Sequence, residues 1–171
     1  EKAPTVKQSP VDTPNRILFV GNSLLYYNNS LHAHLQRIVV AANPALGKSL
    51  QFKSATIGGS PLSHHNIQHL LQPGGLGVKQ PFDVVVLQEN PSAPMFEAQR
   101  ARFRSTVVEF NAEIMKSGAR TALYMTHAHV KPNRLAGPDM IRKVEEMYVS
   151  VANELGIFVI PVGLAFEEAY R

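Results

Sequence analysis

Five short apolar runs, separated by segments whose apolar residues recur at helical spacing, constrain the fold of this chain more than any other feature. Residues 16–20 and 82–87 are dominated by β-branched and large apolar side chains, residues 50–57 partly alternate, and 120–126 and 157–161 complete the set. Runs of this kind read as strands buried on both faces. Between them, Leu31, Leu35, Ile38, Val39 and Ala42 mark an amphipathic helix. Phe103, Val107, Phe110 and Ile114 mark a longer helix with Gly118 as its stop, and Met140, Val144, Met147, Val151 and Leu155 mark another, opened by Pro138-Asp139 and closed near Gly156. A short helix is expected within 62–71. Strand-helix alternation implies right-handed crossovers. The expected fold is therefore α/β: a three-layer α/β/α sandwich around a mostly parallel five-stranded sheet of the flavodoxin-like kind.

The 171 residues suffice for one domain, which starts near residue 16. Residues 1–15, with Pro4, Pro10 and Pro14 among polar residues, read as an extended leader or linker. The loop around Pro73-Gly74-Gly75-Leu76-Gly77 is too short to separate domains, and it precedes a strand, so it does not fit a phosphate-binding strand-to-helix turn. A net charge of +4 is spread along the chain, with Arg100, Arg102 and Arg104 best read as a solvated helix face; no nucleic-acid partner is expected. With no cysteine there is no disulfide and no thiolate nucleophile. No stretch approaches the roughly 18 apolar residues of a membrane span, and no membrane partner is expected. The chain begins at Glu1, as expected after removal or cropping of any leader peptide.

In a parallel sheet, ligands bind beyond the carboxyl ends of the strands. Ser23, Gly58-Gly59, Gln88-Glu89-Asn90 and Thr126-His127-Ala128-His129 all follow strands in this way and should share one rim. A hydroxyl, backbone N–H groups at glycine, a carboxamide and imidazoles form the inventory for acyl transfer. Asn22-Ser23 also reads as an ordinary turn and helix cap. His127 and His129, two apart in an extended segment, would point the same way, as pocket-lining or hydrogen-bonding groups. His65 and His69 have a spacing compatible with metal, but no third ligand lies nearby in sequence and no metal is expected. Tyr26-Tyr27 suits either a pocket wall or a cap on the core.

Phe19-Val20-Gly21-Asn22-Ser23-Leu24 resembles the first block of the SGNH, or GDSL-like, hydrolase superfamily, with Asn22 where many members carry Asp. Thr56-Ile57-Gly58-Gly59-Ser60 resembles the second block, and Leu87-Gln88-Glu89-Asn90 the third, with Gln88 in place of its usual glycine. The resemblance runs from about residue 16 to residue 167 and looks like a secreted bacterial subgroup. It implies a serine esterase, secreted or periplasmic, that hydrolyses an ester, such as a carbohydrate O-acetyl ester, through an acyl-enzyme without a cofactor. Ser23 would be the nucleophile. Its own N–H, that of Gly59 and the Asn90 carboxamide would form the oxyanion hole, with Gly58 as the alternative to Gly59. Asn22, Gly58, Gln88, His127 and His129 would contact substrate. The superfamily's Asp-x-x-His is not among these residues: Asp12, Asp83 and Asp139 are the only aspartates, and none has histidine three positions on. Ala165 to Arg171 opens a helix, so the expectation is that a C-terminal segment carrying the base is missing; a non-catalytic ligand-binding relative is the alternative.

Overall fold

A computed structural model describes residues 3–170. Its five strands are β1 (Arg16–Gly21), β2 (Gln51–Thr56), β3 (Val84–Leu87), β4 (Arg120–Tyr124) and β5 (Phe158–Ile160), in the order β2-β1-β3-β4-β5. Every pairing is parallel, so the expected mostly parallel sheet is entirely so. The helices are α1 (Leu31–Ala42), α2 (Ile67–Leu71), α3 (Glu97–Lys116), α4 (Met140–Leu155) and α5 (Val162–Ala169). None of the described helices is long and apolar enough to cross a membrane.

Strand alternation divides the core. Leu18, Val20, Val85, Leu87 and Leu123 face one side and pack with Phe103, Val107, Phe110 and Ile114 of α3 and Val144, Tyr148 and Val151 of α4. Ile17, Phe19, Val84, Val86 and Ala122 face the other side, covered by Leu31, Leu35 and Val39 of α1. Both faces of the central strands are therefore dry, which is why their sequences are almost continuously apolar. α1 covers its side with an i, i+4 stripe of Leu31, Leu35 and Val39 and with Val40 beside it. Ile38, expected on that face, falls outside the stripe and is 66% exposed. Gly156 ends α4 in the left-handed region at φ 66°, and its N–H returns to the Ala152 carbonyl.

The segment expected to hold one short helix contains a 3-10 turn at Leu62–His64 followed by α2. The described part of the leader has no regular structure, yet it lies on the domain: Val11 packs into the α1-side core, and the Thr5 N–H donates to Asn153 Oδ1 at 2.8 Å. Below the sheet, Asp83 ties the starts of β1 and β3. Its Oδ2 accepts the N–H groups of Asn15 and Arg16 at 2.9 and 2.8 Å, and its Oδ1 pairs with Arg16 Nη2 at 2.6 Å. Because the pair is only half-buried, solvent discounts the charge term; Asp83→Ala should cost about 2 kcal/mol in urea unfolding, mainly from the two orphaned N–H groups. An unchanged midpoint would mean that water replaces the clamp.

Candidate active site

β1 continues to β2 on one side of the sheet and lies against β3 on the other, so the carboxyl ends of β1 and β3 form the topological switch point, where ligands bind in sheets of this kind. The Gly21-Asn22-Ser23 turn occupies it. The Asn22 side chain caps the 3-10 turn Ser23–Leu25 by accepting the Leu24 N–H at 3.2 Å, and its Nδ2 donates to the Ser60 carbonyl at 3.2 Å. One residue therefore fixes the serine turn and also binds it to the loop after β2. The Gly21 carbonyl accepts from the Ile57 N–H at 3.1 Å and from His65 Nε2 at 2.8 Å, which fixes the Nε2–H tautomer of that buried histidine. Burial lowers the His65 pKa, with the Gly21 hydrogen bond opposing the shift. A side chain at position 21 would displace Gln88, since its Cβ would sit 2.3 Å from Gln88 Oε1 and 2.9 Å from Leu25 Cδ1.

The loops after β2 and β3 meet directly. Asn90 Nδ2 donates to the Gly59 carbonyl at 3.1 Å, and Asn90 Oδ1 accepts the Ser92 N–H at 2.9 Å, so both ends of the carboxamide are held. Gly59 adopts φ 67°, a conformation that favours glycine. Gly58 lies beside the Tyr26 hydroxyl. Among the described residues, the N–H groups of Ser23, Gly58 and Gly59 and the Ser23 hydroxyl have no hydrogen-bond partner. Tyr26 and Tyr27, just after the serine, are 40% and 63% exposed, so they form a wall at the surface rather than a cap on the core.

Gln88 and Asn22 do not fit the expectation that they contact substrate. Both are buried: Gln88 Oε1 accepts the Asn22 N–H at 2.9 Å, and Gln88 Nε2 donates to the Glu89 carbonyl. They join the turn after β1 to the turn after β3. His127 and His129 reach different neighbours, not one shared direction, because residues 125–130 form irregular backbone instead of a strand. The His127 ring lies 5.2 Å from that of Phe166 on α5, and His129 Nε2 is 3.1 Å from Ser92 Oγ. Burial lowers both pKa values, and His127 adds to the shift of His129. Sequence reasoning gave Glu89 no role, yet it is fully buried at the rim and accepts the N–H groups of Asn90 at 2.6 Å and Leu62 at 3.2 Å. The available signal was a carboxylate directly after an apolar strand.

No family model matches the chain, and no curated protein matches it. Solved structures do. A candidate SGNH hydrolase from Slackia heliotrinireducens is 20% identical, with a TM-score of 0.66 over 91% of this chain and 83% of its own. AlinE4, an SGNH-hydrolase family esterase, is 16% identical, with a TM-score of 0.64 over 88% of this chain and 78% of its own. The acetyl xylan esterase AlAXEase is 18% identical, with a TM-score of 0.57 over 84% of this chain and 75% of its own. At these identities the likeness is one of architecture: the chain has the SGNH-hydrolase fold.

Proposed function

We propose that this protein is a serine esterase that cleaves an ester, with a carbohydrate O-acetyl ester as the preferred class. The observation that carries the reading is the Asn90 carboxamide bound to the Gly59 carbonyl, with the N–H groups of Gly59 and Ser23 left unspent. Ser23 Oγ attacks the ester carbonyl as its proton passes to a general base from outside this set of residues, and that base returns the proton to the departing alcohol oxygen. The N–H groups of Ser23 and Gly59 and the Asn90 carboxamide receive the oxyanion, each well-aimed donor lowering the barrier by about 3 kcal/mol. Collapse expels the alcohol and leaves acyl-Ser23, and water then releases the acid. The exposed Tyr26 and Tyr27 offer apolar surface for a sugar ring, and a structural neighbour is named as an acetyl xylan esterase.

His65 Nε2 is bonded to the Gly21 carbonyl, His129 Nε2 lies against Ser92 Oγ and the His127 ring lies against Phe166, so Ser23, Gly59 and Asn90 supply the nucleophile and oxyanion half of a hydrolytic site. One observation favours a second reading, a rim that binds carbohydrate or a small ligand without turnover: among the described residues no histidine hydrogen-bonds Ser23. An aryl organophosphonate separates the two. The natural protein should gain one phosphonyl group, seen by intact mass and located at Ser23 by peptide mapping, and Ser23→Ala should gain none. A protein that stays unlabelled under prolonged excess reagent favours the binding reading.

A further inference from the structure

Glu89 is a buried acid for which the proposed reaction has no use. It is fully buried, and among the described residues no cation forms an ion pair with it; Arg102 and His64 act on it only through space. An isolated carboxylate in such a place is costly unless hydrogen bonds compensate it. Here the hydrogen bonds to the carboxylate come from backbone N–H groups. Oε1 accepts the Asn90 N–H at 2.6 Å and the Leu62 N–H at 3.2 Å, and Oε2 is 3.3 Å from the same Leu62 nitrogen. Leu62 follows the Gly58-Gly59-Ser60 loop, and Asn90 carries the carboxamide that grips Gly59. Behind the carboxylate, the Glu89 N–H donates to Tyr148 Oη at 3.1 Å, and its carbonyl accepts from Gln88.

We propose that Glu89 is the positioning residue of the oxyanion pocket: its carboxylate draws together the loops after β2 and β3 and so holds the Asn90 carboxamide against Gly59. The inference rests on the esterase reading. Glu89 touches no substrate; it acts through Asn90. Both oxygens face N–H donors, so an acceptor-only carboxylate fits and a carboxamide does not: in Glu89→Gln one of the two positions becomes an NH2 group against an N–H. The donor for the oxyanion then loses its fixed aim while the substrate-binding surface is untouched.

The test compares Glu89→Gln with Tyr148→Phe in the natural protein, using an acetyl ester. Tyr148→Phe removes a buried hydrogen bond to the Glu89 backbone while leaving the carboxylate and its two N–H donors in place, and so reports the effect of loosening the core alone. Glu89→Gln should lower kcat by about 10- to 100-fold with KM within about twofold, as expected when a reacting-site donor is misplaced. Tyr148→Phe should stay within about threefold of wild type even if its melting temperature falls equally. Amide NMR in a Ser23→Ala background supplies a readout independent of turnover: the Asn90 N–H should resonate far downfield and exchange slowly, and Glu89→Gln should abolish both. If Ser23→Ala leaves turnover unchanged, the esterase reading falls, and this proposal with it. If Ser23→Ala abolishes turnover but Glu89→Gln changes kcat less than twofold, or tracks Tyr148→Phe, the Glu89 proposal alone falls. Should Glu89→Gln not fold, an Asn90 amide that exchanges rapidly at an ordinary shift in the Ser23→Ala protein overturns it.

Discussion

Ser23→Ala is expected to lower kcat/KM for an acetyl ester by roughly 10⁴-fold or more, the scale on which removal of a serine nucleophile acts. The melting temperature should hardly move. The Ser23 hydroxyl has no protein partner among the described residues, so its removal orphans no buried group. The backbone carbonyl of residue 23, which accepts the N–H groups of Tyr26 and Tyr27 at 3.2 and 3.1 Å, is kept, and so is the N–H assigned to the oxyanion. Alanine is also acceptable at the first position of a 3-10 turn whose cap is Asn22. An activity loss with unchanged unfolding therefore isolates the hydroxyl as a reactant. Equal rates for wild type and variant would instead identify background hydrolysis and favour a binding rim. The same pair, measured by ester turnover and by thermal unfolding, decides between the two readings without knowledge of the natural substrate.

The sheet was legible because its central strands are dry on both faces, which forces an apolar residue at nearly every position of Ile17–Val20 and Val84–Leu87. The rim was legible for a related reason: a polar residue directly after such a run lies at a carboxyl end in a parallel sheet, and the turns after β1, β2 and β3 do hydrogen-bond to one another. Depth at the rim was not legible. Asn22, Gln88 and Glu89 are polar letters at turns, where solvent exposure is the natural expectation, yet each is buried because its partners arrive from other loops. The Leu62 N–H that meets Glu89 comes from 27 residues away, and the Asn22 N–H that meets Gln88 from 66. Periodicity carries no information about such encounters. The two histidines beyond β4 show the converse error. Alternation holds in a strand, but β4 ends at Tyr124, so the parity of His127 and His129 has no ladder to enforce it.

Gly163→Ala sets two local rules against each other, and the sign of its effect shows which one governs this end of the sheet. Near the start of α5, alanine should stabilise a helix by up to about 1 kcal/mol relative to glycine. The contact opposes this. A Cβ on Gly163 would lie 2.2 Å from the Thr126 carbonyl oxygen, 3.0 Å from its carbonyl carbon and 3.3 Å from His127 Cα. These are backbone atoms, so no rotamer change relieves them, and the two segments are already joined by the Gly163 N–H donating to the Met125 carbonyl at 3.0 Å. Either the helix or the chain after β4 must move, at about 3 kcal/mol or more net of the propensity gain, since overpacking against backbone lies at the upper end of its usual range. For a domain of this size that lowers the melting temperature by roughly 6–12 °C. Gly59→Ala gives the contrast: its Cβ meets nothing within 4 Å, and only the positive φ opposes it, for a loss of about 1 kcal/mol. A Gly163→Ala protein as stable as wild type would mean that α5 is free to shift. The close approach of its first turn to Thr126 would then not be what holds the His127 segment in place.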